Sequence, residues 1–474
     1  MTNIIYTKQQ EEIIKQSKQA KMLMIKAFAG TGKTTTLVGV SKENKERNIL
    51  YLAFNKVAAD DARERFPENT EVRTIHSLAL SCLKKVGFYV NMAQPYSMYI
   101  LMEYLKQKNP GKNIHFGIVK QVFERLNLFF YSEELKIKSG SYIDSFAKDV
   151  YEGMKAGEIT TGHDGYLKVF HEKITNGEIV LEGIDIVMLD EAQDSNPVTI
   201  AIFNNIKTKT KILVGDPYQQ IYAWRGSKNA FSSLPRGYTE LSLTQTYRYP
   251  RSIAQKANLL LRRERGERNE IETSKENGDF MTEGDTCVIC RTNSGIIQTI
   301  IDGMKKGIRY KTLRPAGEIL KEALDILKIK KAKGKKVAKK DLSTKEWSDF
   351  TYSQLKRETT RKDVDPRLKM AFNLVEKHGS ELEDVTKEIS SNRRKKKGHF
   401  VFITTVHTAK GLEWDKVILN NDFTPYLVFK DKDRGKYEEE VNLYYVAMTR
   451  AKEVLEDNTP NLSGSLSKEE RTYF

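Results

Sequence analysis

The chain has 474 residues and a formal net charge of +16, from 79 Lys and Arg against 63 Asp and Glu. A chain of this length is too long for a single hydrophobic core, so about two to four compact units are expected. The charge favours a polyanionic partner such as nucleic acid, the alternative being a basic chain that is merely soluble. The three cysteines are too few for a disulfide framework, which favours a reducing compartment. The sequence lacks a run of about 18 apolar residues, so no membrane span is predicted. We therefore expect a cytoplasmic protein, or a nuclear one in a eukaryote.

Two zones of the sequence alternate short apolar runs with helix-compatible segments, a pattern typical of α/β units with parallel sheets. The strands predicted in the first zone are residues 22–26, 48–54, 71–74, 184–189 and 211–215. Those predicted in the second zone are residues 239–243, 285–290, 400–404 and 416–419. A helix-compatible segment interrupts each zone, at residues 81–180 and 313–397. We therefore predict two α/β domains, each with a mostly helical insertion.

A phosphate-binding loop follows the first predicted strand. Residues 27–34 read Ala-Phe-Ala-Gly-Thr-Gly-Lys-Thr, the pattern of a P-loop except that Ala27 stands where glycine is usual. In such a loop, backbone N–H groups approach the phosphates, Lys33 reaches the terminal phosphates, and the Thr34 hydroxyl ligates Mg²⁺. The helix that follows adds its positive N-terminus. The sequence therefore predicts a nucleotide site.

Two adjacent carboxylates, Asp190 and Glu191, end the apolar run at residues 186–189. Ligands of open α/β sheets bind at the carboxyl ends of the strands. Asp190 is suited to hold Mg²⁺, and Glu191 to orient or deprotonate the attacking water. The alternative, an acidic turn without chemistry, is disfavoured by the P-loop upstream.

A third segment, residues 214–226, follows the last strand predicted in the first zone. Asp216 and Gln219 can sense Mg²⁺ and the γ-phosphate from the strand end. Tyr222 and Trp224 offer aromatic faces, on which stacking a base contributes about 1–3 kcal/mol. The alternative is burial of both aromatic rings in a core.

Two features of the second zone have simpler interpretations. Cys287 and Cys290 lie in an apolar run without a second cysteine pair, so we predict packing in a strand and not a metal site. Two basic runs, residues 328–336 and 393–397, show no core-facing period. Such runs are either solvated or in contact with a nucleic-acid backbone.

Ordered motifs between Thr7 and Ala451 resemble those of superfamily 1A DNA helicases of the UvrD/Rep/PcrA type. Thr7 to Gln10 resembles the adenine-reading Q motif, and alanine is common at the first P-loop position of this family, which accounts for Ala27. Residues 54–56, one residue shorter than the usual motif, resemble the F-box DNA helicase branch. The resemblance implies two RecA-like P-loop domains that form one ATP site.

The resemblance also implies roles for individual residues, with ATP and Mg²⁺ as cofactors. The catalytic positions are Lys33, Asp190, Glu191, Gln219, Arg248 and Arg450, with Thr34 and Asp190 on the metal. The nucleotide-binding positions are Gln10, Ala29, Gly30, Thr31, Gly32, Lys33, Thr34, Thr35, Tyr247, Gly411 and Glu413. The DNA-binding positions are Phe54, Asn55, Thr74, His76, Tyr222, Trp224, Arg225 and His407. For His76 and His407 a structural histidine is the alternative.

The domains implied are RecA-like 1A at residues 1–80 and 181–237, insertion 1B at 81–180, RecA-like 2A at 238–312 and 398–474, and insertion 2B at 313–397. The activity implied is ATP-driven movement on single-stranded DNA, 3′ to 5′, with separation of duplex at single/double-strand junctions. Its protein partners would be replication or recombination proteins, and the translocating form would be a monomer. The rivals are a translocase that strips proteins from single strands and a noncatalytic nucleic-acid binder.

Overall fold

The structure, a computed structural model, describes residues 4–93, 96–222, 231, 237–277, 284–361, 364, 366–395 and 398–460. The chain divides into two compact units, Met1–Tyr247 and Arg248–Phe474. Each unit is built around a parallel β-sheet, which confirms the predicted α/β class. None of the helices in the described ranges is long and apolar enough to cross a bilayer.

The first unit contains a six-stranded sheet. Its strands are β1 (Met22–Ala27), β2 (Ile49–Ala53), β3 (Thr70–Thr74), β4 (Ile186–Leu189), β5 (Thr210–Gly215) and β6 (Thr239–Leu243), and a short strand β7 (Gln245–Thr246) follows. The strand order is β3-β2-β4-β5-β1-β6, and all neighbouring strands are parallel. Every residue of β2 and β4 is buried, as expected for central strands covered on both faces. The order places the carboxyl end of β1 between those of β5 and β6.

The prediction that residues 239–243 belong to the second sheet was wrong. β6 pairs with β1, with Leu23 opposite Thr239 and Ala27 opposite Leu243. The boundary between the units therefore follows Tyr247, and not residue 237 as predicted. The apolar run located the strand, but periodicity carries no information on which neighbour a strand pairs with.

Helices cover the sheet of the first unit. They are α1 (Lys8–Gln16), α2 (Lys33–Glu43), α3 (Lys56–Arg65), α4 (Ile75–Lys85), α5 (Met98–Lys108), α6 (Phe116–Tyr131), α7 (Tyr142–Lys155), α8 (Gly162–Thr175) and α9 (Pro197–Asn205). Helices α5–α8 lie in the segment predicted to be a helical insertion. Their buried residues, such as Leu105, Phe129 and Val150, join Leu52 and Leu189 of the sheet in one hydrophobic core.

A buried lysine and a buried histidine lie on α8. Lys168 donates from Nζ to the Ser132 carbonyl at 2.7 Å, and its Nζ lies 4.3 Å from the centre of the Phe129 ring. Burial lowers the pKa of Lys168 to about 8. Burial, together with the charge of Lys168, lowers the pKa of His171 to about 4. His171 is thus neutral in the folded chain at pH values where an unfolded chain would protonate it.

We expect His171 to reduce the free energy of unfolding of the first unit by about 2 kcal/mol between pH 7 and pH 5. Its folded-state pKa lies below the ordinary value, so the unfolded state binds more protons in this window and stability is lost as the pH falls. Burial raises the pKa of Glu172, so the contribution of Glu172 to stability rises as the pH falls and opposes that of His171. The measurement is therefore the difference between wild type and His171→Gln in urea unfolding at both pH values.

The control for this experiment is His115→Gln, since His115 is exposed. This variant should keep the pH dependence of the wild type. A His171→Gln protein with wild-type pH dependence would show that His171 does not contribute.

The second unit contains a five-stranded parallel sheet of order β10-β11-β9-β12-β13. Its strands, with the separate short strand β8 (Glu272–Thr273), are β9 (Thr286–Cys290), β10 (Tyr310–Thr312), β11 (Val401–Thr405), β12 (Trp414–Leu419) and β13 (Ala451–Asp457). Its helices are α10 (Arg251–Arg265), α11 (Asn293–Lys305), α12 (Ala316–Ile319), α13 (Lys321–Lys331), α14 (Tyr352–Glu358), α15 (Pro366–His378), α16 (Glu381–Arg394), α17 (Val406–Ala409) and α18 (Arg434–Met448).

The two cysteines of the second zone lie in β9 and are fully buried, which confirms the prediction of strand packing. Burial raises the pKa of both the Cys287 and the Cys290 thiol well above the ordinary range. Within the described part of the chain, no group of three or more His, Cys, Asp or Glu residues is arranged to hold a metal ion.

The first basic run is more ordered than the sequence predicted. Its amino-terminal part belongs to α13, in which Ile329 is completely buried. Lys330 pairs with Glu376 at 2.9 Å, and Lys331 pairs with Glu383 at 2.6 Å. The run thus has a core-facing residue and intramolecular partners for its charges, which the repeated lysines concealed.

Candidate nucleotide and DNA site

The P-loop connects the end of β1 with the start of α2. Gly30 and Gly32 both adopt left-handed backbone conformations, with φ of 78° and 79°, which favour glycine. The Thr31 hydroxyl donates to the Phe28 carbonyl at 2.8 Å inside the loop. The backbone N–H groups at the start of α2 have no intrahelical partners and can receive an anion. Thr34 and Thr35, in the first turn, are partly exposed.

Lys33 meets the carboxylate that follows β4. Its Nζ lies 3.1 Å from Glu191 Oε1 and 3.3 Å from Oε2. Burial opposes the charge of Lys33, but the carboxylates of Glu191, Asp216 and Asp190 outweigh burial and raise the pKa of the ammonium group. The lysine is therefore positively charged and close to where phosphates would enter the loop.

The backbone at Glu191 is strained. Glu191 has φ 48° and ψ 43°, the left-handed region that side chains other than glycine rarely occupy. Such a conformation costs about 1–3 kcal/mol and persists only where the surroundings enforce it. Here the Glu191 N–H donates to Asp190 Oδ1 at 2.8 Å.

A hydrogen-bond chain that the sequence did not reveal joins Glu191 to the end of β5. Gln193 donates from Nε2 to Glu191 Oε2 at 2.5 Å, and its Oε1 accepts the Asp216 N–H at 3.1 Å. Asp216 Oδ2 accepts from Gln219 Nε2 at 2.8 Å. Gln193 is completely buried. A buried amide at a strand end was the available signal, because it must find hydrogen-bond partners. These hydrogen bonds connect Lys33, Glu191 and Gln219 in one network.

Asp190 and its neighbours are suited to a divalent cation. Burial raises the pKa of Asp190 and the charge of Glu191 adds to the rise, whereas Lys33 and the hydrogen bond from Tyr51 lower it. Three carboxyl groups, those of Asp190, Glu191 and Asp216, lie close enough to Lys33 to raise its pKa. Mg²⁺ is typically held by one or two carboxylates together with substrate phosphates. Asp190, with the Thr34 hydroxyl, fits this requirement.

The predicted adenine reader, Gln10, packs beside the P-loop. Its Oε1 accepts the Thr7 N–H at 2.9 Å, and its Nε2 donates to Thr36 Oγ1 at 3.1 Å. Gln10 is 3% exposed, and its amide joins the start of α1 to α2. Thr36, whose hydroxyl oxygen accepts the hydrogen bond from Gln10, was not among the predicted site residues.

Tyr247 reaches the P-loop through its backbone. The Tyr247 N–H donates to the Gly30 carbonyl at 2.9 Å, and the Thr246 hydroxyl donates to the Ala29 carbonyl at 2.9 Å. The Tyr247 residue is 51% exposed. The backbone is thus held next to the loop, and the exposed phenol ring is available to stack on a nucleotide base.

In the second unit, Arg248 lies close to two other motif segments. Its Nε lies 2.8 Å from Glu413 Oε2, and its Nη1 donates to the Thr449 carbonyl at 3.1 Å. Gly411, two residues before Glu413, has φ 84°, a conformation that favours glycine. The structure thus brings together Arg248, Glu413 and the segment that carries Arg450.

Arg450 is buried, with 1% exposure. Its Nε donates to the Val446 carbonyl at 2.9 Å, and its Nη2 lies 3.3 Å from Thr449 Oγ1. These bonds fix the guanidinium against the end of α18. This burial could not be predicted from the motif, because a motif identifies a residue and not its exposure.

Four residues predicted to contact a DNA strand lie near the carboxyl ends of β2 and β3, namely Phe54, Asn55, Thr74 and His76. The rings of Phe54 and Tyr222 are stacked, with centroids 6.0 Å apart, and Phe54 is 38% exposed. Asn55 is the N-cap of α3, accepting the Ala58 N–H at 2.9 Å. Trp224 and Arg225 lie outside the described residues.

Thr74 and His76 have local partners as well. Thr74 caps α4 in a reciprocal capping box with Ser77. His76 Nε2 lies 3.7 Å from Asp164 Oδ1, and the ring packs edge-on against His163. In the second unit His407, at the start of α17, is partly exposed.

Comparison with known proteins identifies two matching families. Residues 10–225 match the family described as an AAA domain, and residues 195–456, more than half of the chain, match the UvrD-like helicase C-terminal domain. These matches and the parallel sheets of both units agree with two RecA-like P-loop domains.

Three relatives illustrate the similarity. The chain is 28% identical to "F-box DNA helicase 1" of Gallus gallus, over 96% of this chain and 49% of that protein. It is 27% identical to "F-box DNA helicase protein 1" of Schizosaccharomyces pombe, over 95% and 57%. It is 23% identical to "ATP-dependent DNA helicase PcrA" of Staphylococcus aureus, over 61% and 45%. The chain thus spans about half the length of the curated relatives it matches.

Proposed function

Since the chain belongs to the UvrD-like helicase family, we propose that it is an ATP-dependent DNA helicase that moves on single-stranded DNA, 3′ to 5′, and separates duplex. The observation that carries the proposal is the network of Lys33, Glu191, Gln193 and Asp216 at the carboxyl edge of the first sheet. It supplies a cation for phosphates, a base for water, and a polar link from Asp216 to Gln219.

The proposed mechanism assigns each group one role. The P-loop backbone and Lys33 bind the phosphates, and Asp190 with Thr34 would hold Mg²⁺, which neutralises charge on the phosphates. Glu191 accepts a proton from the attacking water. Arg248 and Arg450 are the arginines that meet the γ-phosphate, as the resemblance implies.

The same network can transmit a change in the bound nucleotide to the residues proposed to contact DNA. Gln219 belongs to the turn at Pro217–Gln219, three residues before Tyr222, whose ring stacks on exposed Phe54. A phosphate that draws Lys33 away from Glu191 alters the bonds of Gln193 and Asp216. We infer that this change reaches the Phe54 and Tyr222 rings and changes their affinity for bases.

The test of this function is unwinding of duplexes with a 3′ overhang, a 5′ overhang or no overhang, together with ATPase stimulated by single strands. Unwinding of the 3′-overhang substrate alone is expected. Stimulated ATPase without unwinding of any substrate would favour the translocase that strips proteins, and DNA binding without ATPase would favour the noncatalytic binder.

We further propose that Arg394 and Lys395, in the described part of the second basic run, contact the DNA backbone. Within the described residues, no carboxylate lies within ion-pair distance of Arg394 or Lys395, unlike the paired lysines of α13. Lys311 is also close, since its Nζ lies 3.3 Å from the Lys395 carbonyl oxygen. Arg309 and Lys311 both face the Phe400 ring, at 5.1 Å and 5.7 Å from its centre. Like charges gathered without carboxylates favour an anionic ligand.

For this surface we expect Arg394→Gln/Lys395→Gln to weaken binding of a single-stranded oligonucleotide. The slope of log K against log salt concentration should become shallower by about 0.7 for each charge that contacts a phosphate. Titration by fluorescence anisotropy at several salt concentrations measures the slope. The matched control is Lys330→Gln/Lys331→Gln, which removes two lysines already paired with glutamates. Equal slopes for both double variants would refute the assignment.

A further inference from the structure

One lysine of the second unit bonds to both segments that carry the candidate arginines. Lys275 Nζ donates to the carbonyl of Arg248 at 3.2 Å and to the carbonyl of Lys452, two residues beyond Arg450, at 2.8 Å. It also lies 2.6 Å from Glu453 Oε1. Three acceptors match the three donors of an ammonium group.

The strand contacted by Lys275 is irregular at this point. In the pairing of β12 with β13, Trp414 lies opposite Ala451 and Lys416 opposite Val454, so Asp415 faces two residues, Lys452 and Glu453. Such a bulge leaves a residue outside the ladder and bends the strand. β13 is also the edge strand of its sheet. Lys275 therefore binds a carbonyl at the irregularity that immediately follows Arg450.

The backbone around Lys275 is held by hydrogen bonds of its own. The Lys275 carbonyl accepts the Arg251 N–H at 3.2 Å, and Thr273, two residues earlier, donates from Oγ1 to the Tyr249 carbonyl at 3.0 Å. The Arg248 side chain adds a second connection, since its Nη1 donates to the Thr449 carbonyl. Arg248 is thus tied to the Thr449–Glu453 segment through its own side chain and through Lys275.

We propose that Lys275 is a positioning residue for ATP hydrolysis. It fixes the backbone of Arg248 relative to the segment that carries Arg450, so that both arginines keep one geometry toward the γ-phosphate. The proposal rests on the proposed function, because it takes these arginines to act on ATP. Lys275 itself binds main-chain oxygens and Glu453, and its effect on the reaction is transmitted through Arg248 and Arg450.

The test is Lys275→Met in the full chain. We expect kcat for DNA-stimulated ATP hydrolysis to fall by between about 10- and 100-fold, the scale on which small misplacements act, with KM for ATP within about twofold of wild type. Affinity for ADP with aluminium fluoride, which mimics the phosphate in transfer, should fall by a similar factor. Affinity for ADP alone should not change, because ADP has no γ-phosphate. Lys275→Arg should restore part of kcat.

The matched control is Lys452→Met. Lys452 and Lys275 have similar side-chain exposures of 36% and 33%. The ammonium group of Lys452 pairs with Asp415 at 2.7 Å, whereas that of Lys275 bonds to the carbonyls of Arg248 and Lys452. Glu453→Gln removes one ion pair and leaves both main-chain bonds, so it should have a small effect. Equal losses of kcat in Lys275→Met and Lys452→Met, or equal losses of ADP and aluminium-fluoride affinity, would overturn the inference.

Failure of the proposed function would look different. If Lys33→Ala retains hydrolysis, the nucleotide site is assigned wrongly and Lys275 has no reaction to support. If Lys33→Ala abolishes hydrolysis while Lys275→Met turns over ATP as wild type does, only the positioning role is lost. Thermal unfolding of Lys275→Arg and Lys275→Met establishes that both variants are folded.

Discussion

Lys33→Ala should lower the rate of ATP hydrolysis by at least about 10²-fold, the effect of losing one preorganised group that stabilises developing charge. Lys33 lies on the first turn of α2, within 3.1 Å of Glu191, and its pKa is raised by three nearby carboxylates. It is thus charged and free to exchange Glu191 for a phosphate. ATP binding should weaken as well, since the carboxylates would then repel the phosphates. Steady-state ATPase assays and nucleotide titration measure both effects.

The control for this variant is Lys42→Ala. Lys42 is an exposed residue in the last turn of the same helix, so its loss changes the net charge equally but leaves the loop intact. It should hydrolyse ATP at the wild-type rate. Comparable losses in both variants would point to helix stability and not to phosphate contact.

Glu191→Gln should lower hydrolysis by about 10²- to 10⁴-fold, the usual contribution of a general base. The amide has nearly the shape of the carboxylate, and its Oε1 can still accept the bond from Gln193 Nε2. ATP affinity should therefore stay within a few-fold of wild type. Single-turnover hydrolysis, measured beside equilibrium binding of ATP, separates the two quantities.

Asp185→Asn is the matched control, because it makes the same chemical change just before the opposite end of β4. Asp185 pairs with Lys209 at 2.8 Å and accepts the Asn48 N–H at 3.1 Å. Its loss should affect stability and leave the chemistry unchanged. A Glu191→Gln protein that hydrolyses ATP as fast as Asp185→Asn would remove Glu191 from the proposed mechanism.

The sequence predicted the elements that a local pattern specifies. Apolar runs located the strands, and the glycines with Lys33 located the P-loop. The rule that ligands bind at the carboxyl edge of parallel strands correctly placed Asp190 near Lys33. These predictions held because strand position and side-chain chemistry depend on a few adjacent residues.

Features that depend on contacts between distant residues could not be predicted. The pairing of β6 with β1 is one example, because periodicity does not identify a partner strand. Gln193 is another: its role depends on the distance from Glu191 to the Asp216 N–H. The N-cap role of Asn55 was within reach, since asparagine before a helix-compatible segment is a known capping signal.

The left-handed conformation of Glu191 implies a trade-off between stability and activity. A glycine at this position would relieve backbone strain of about 1–3 kcal/mol but would remove the carboxylate that Lys33 and Gln193 contact. Selection for a more stable chain alone would therefore favour replacing the residue that we propose as the base. A sequence designed only for this backbone is expected to have glycine at position 191, so glycine there in a redesigned chain would indicate selection for folding and not for turnover.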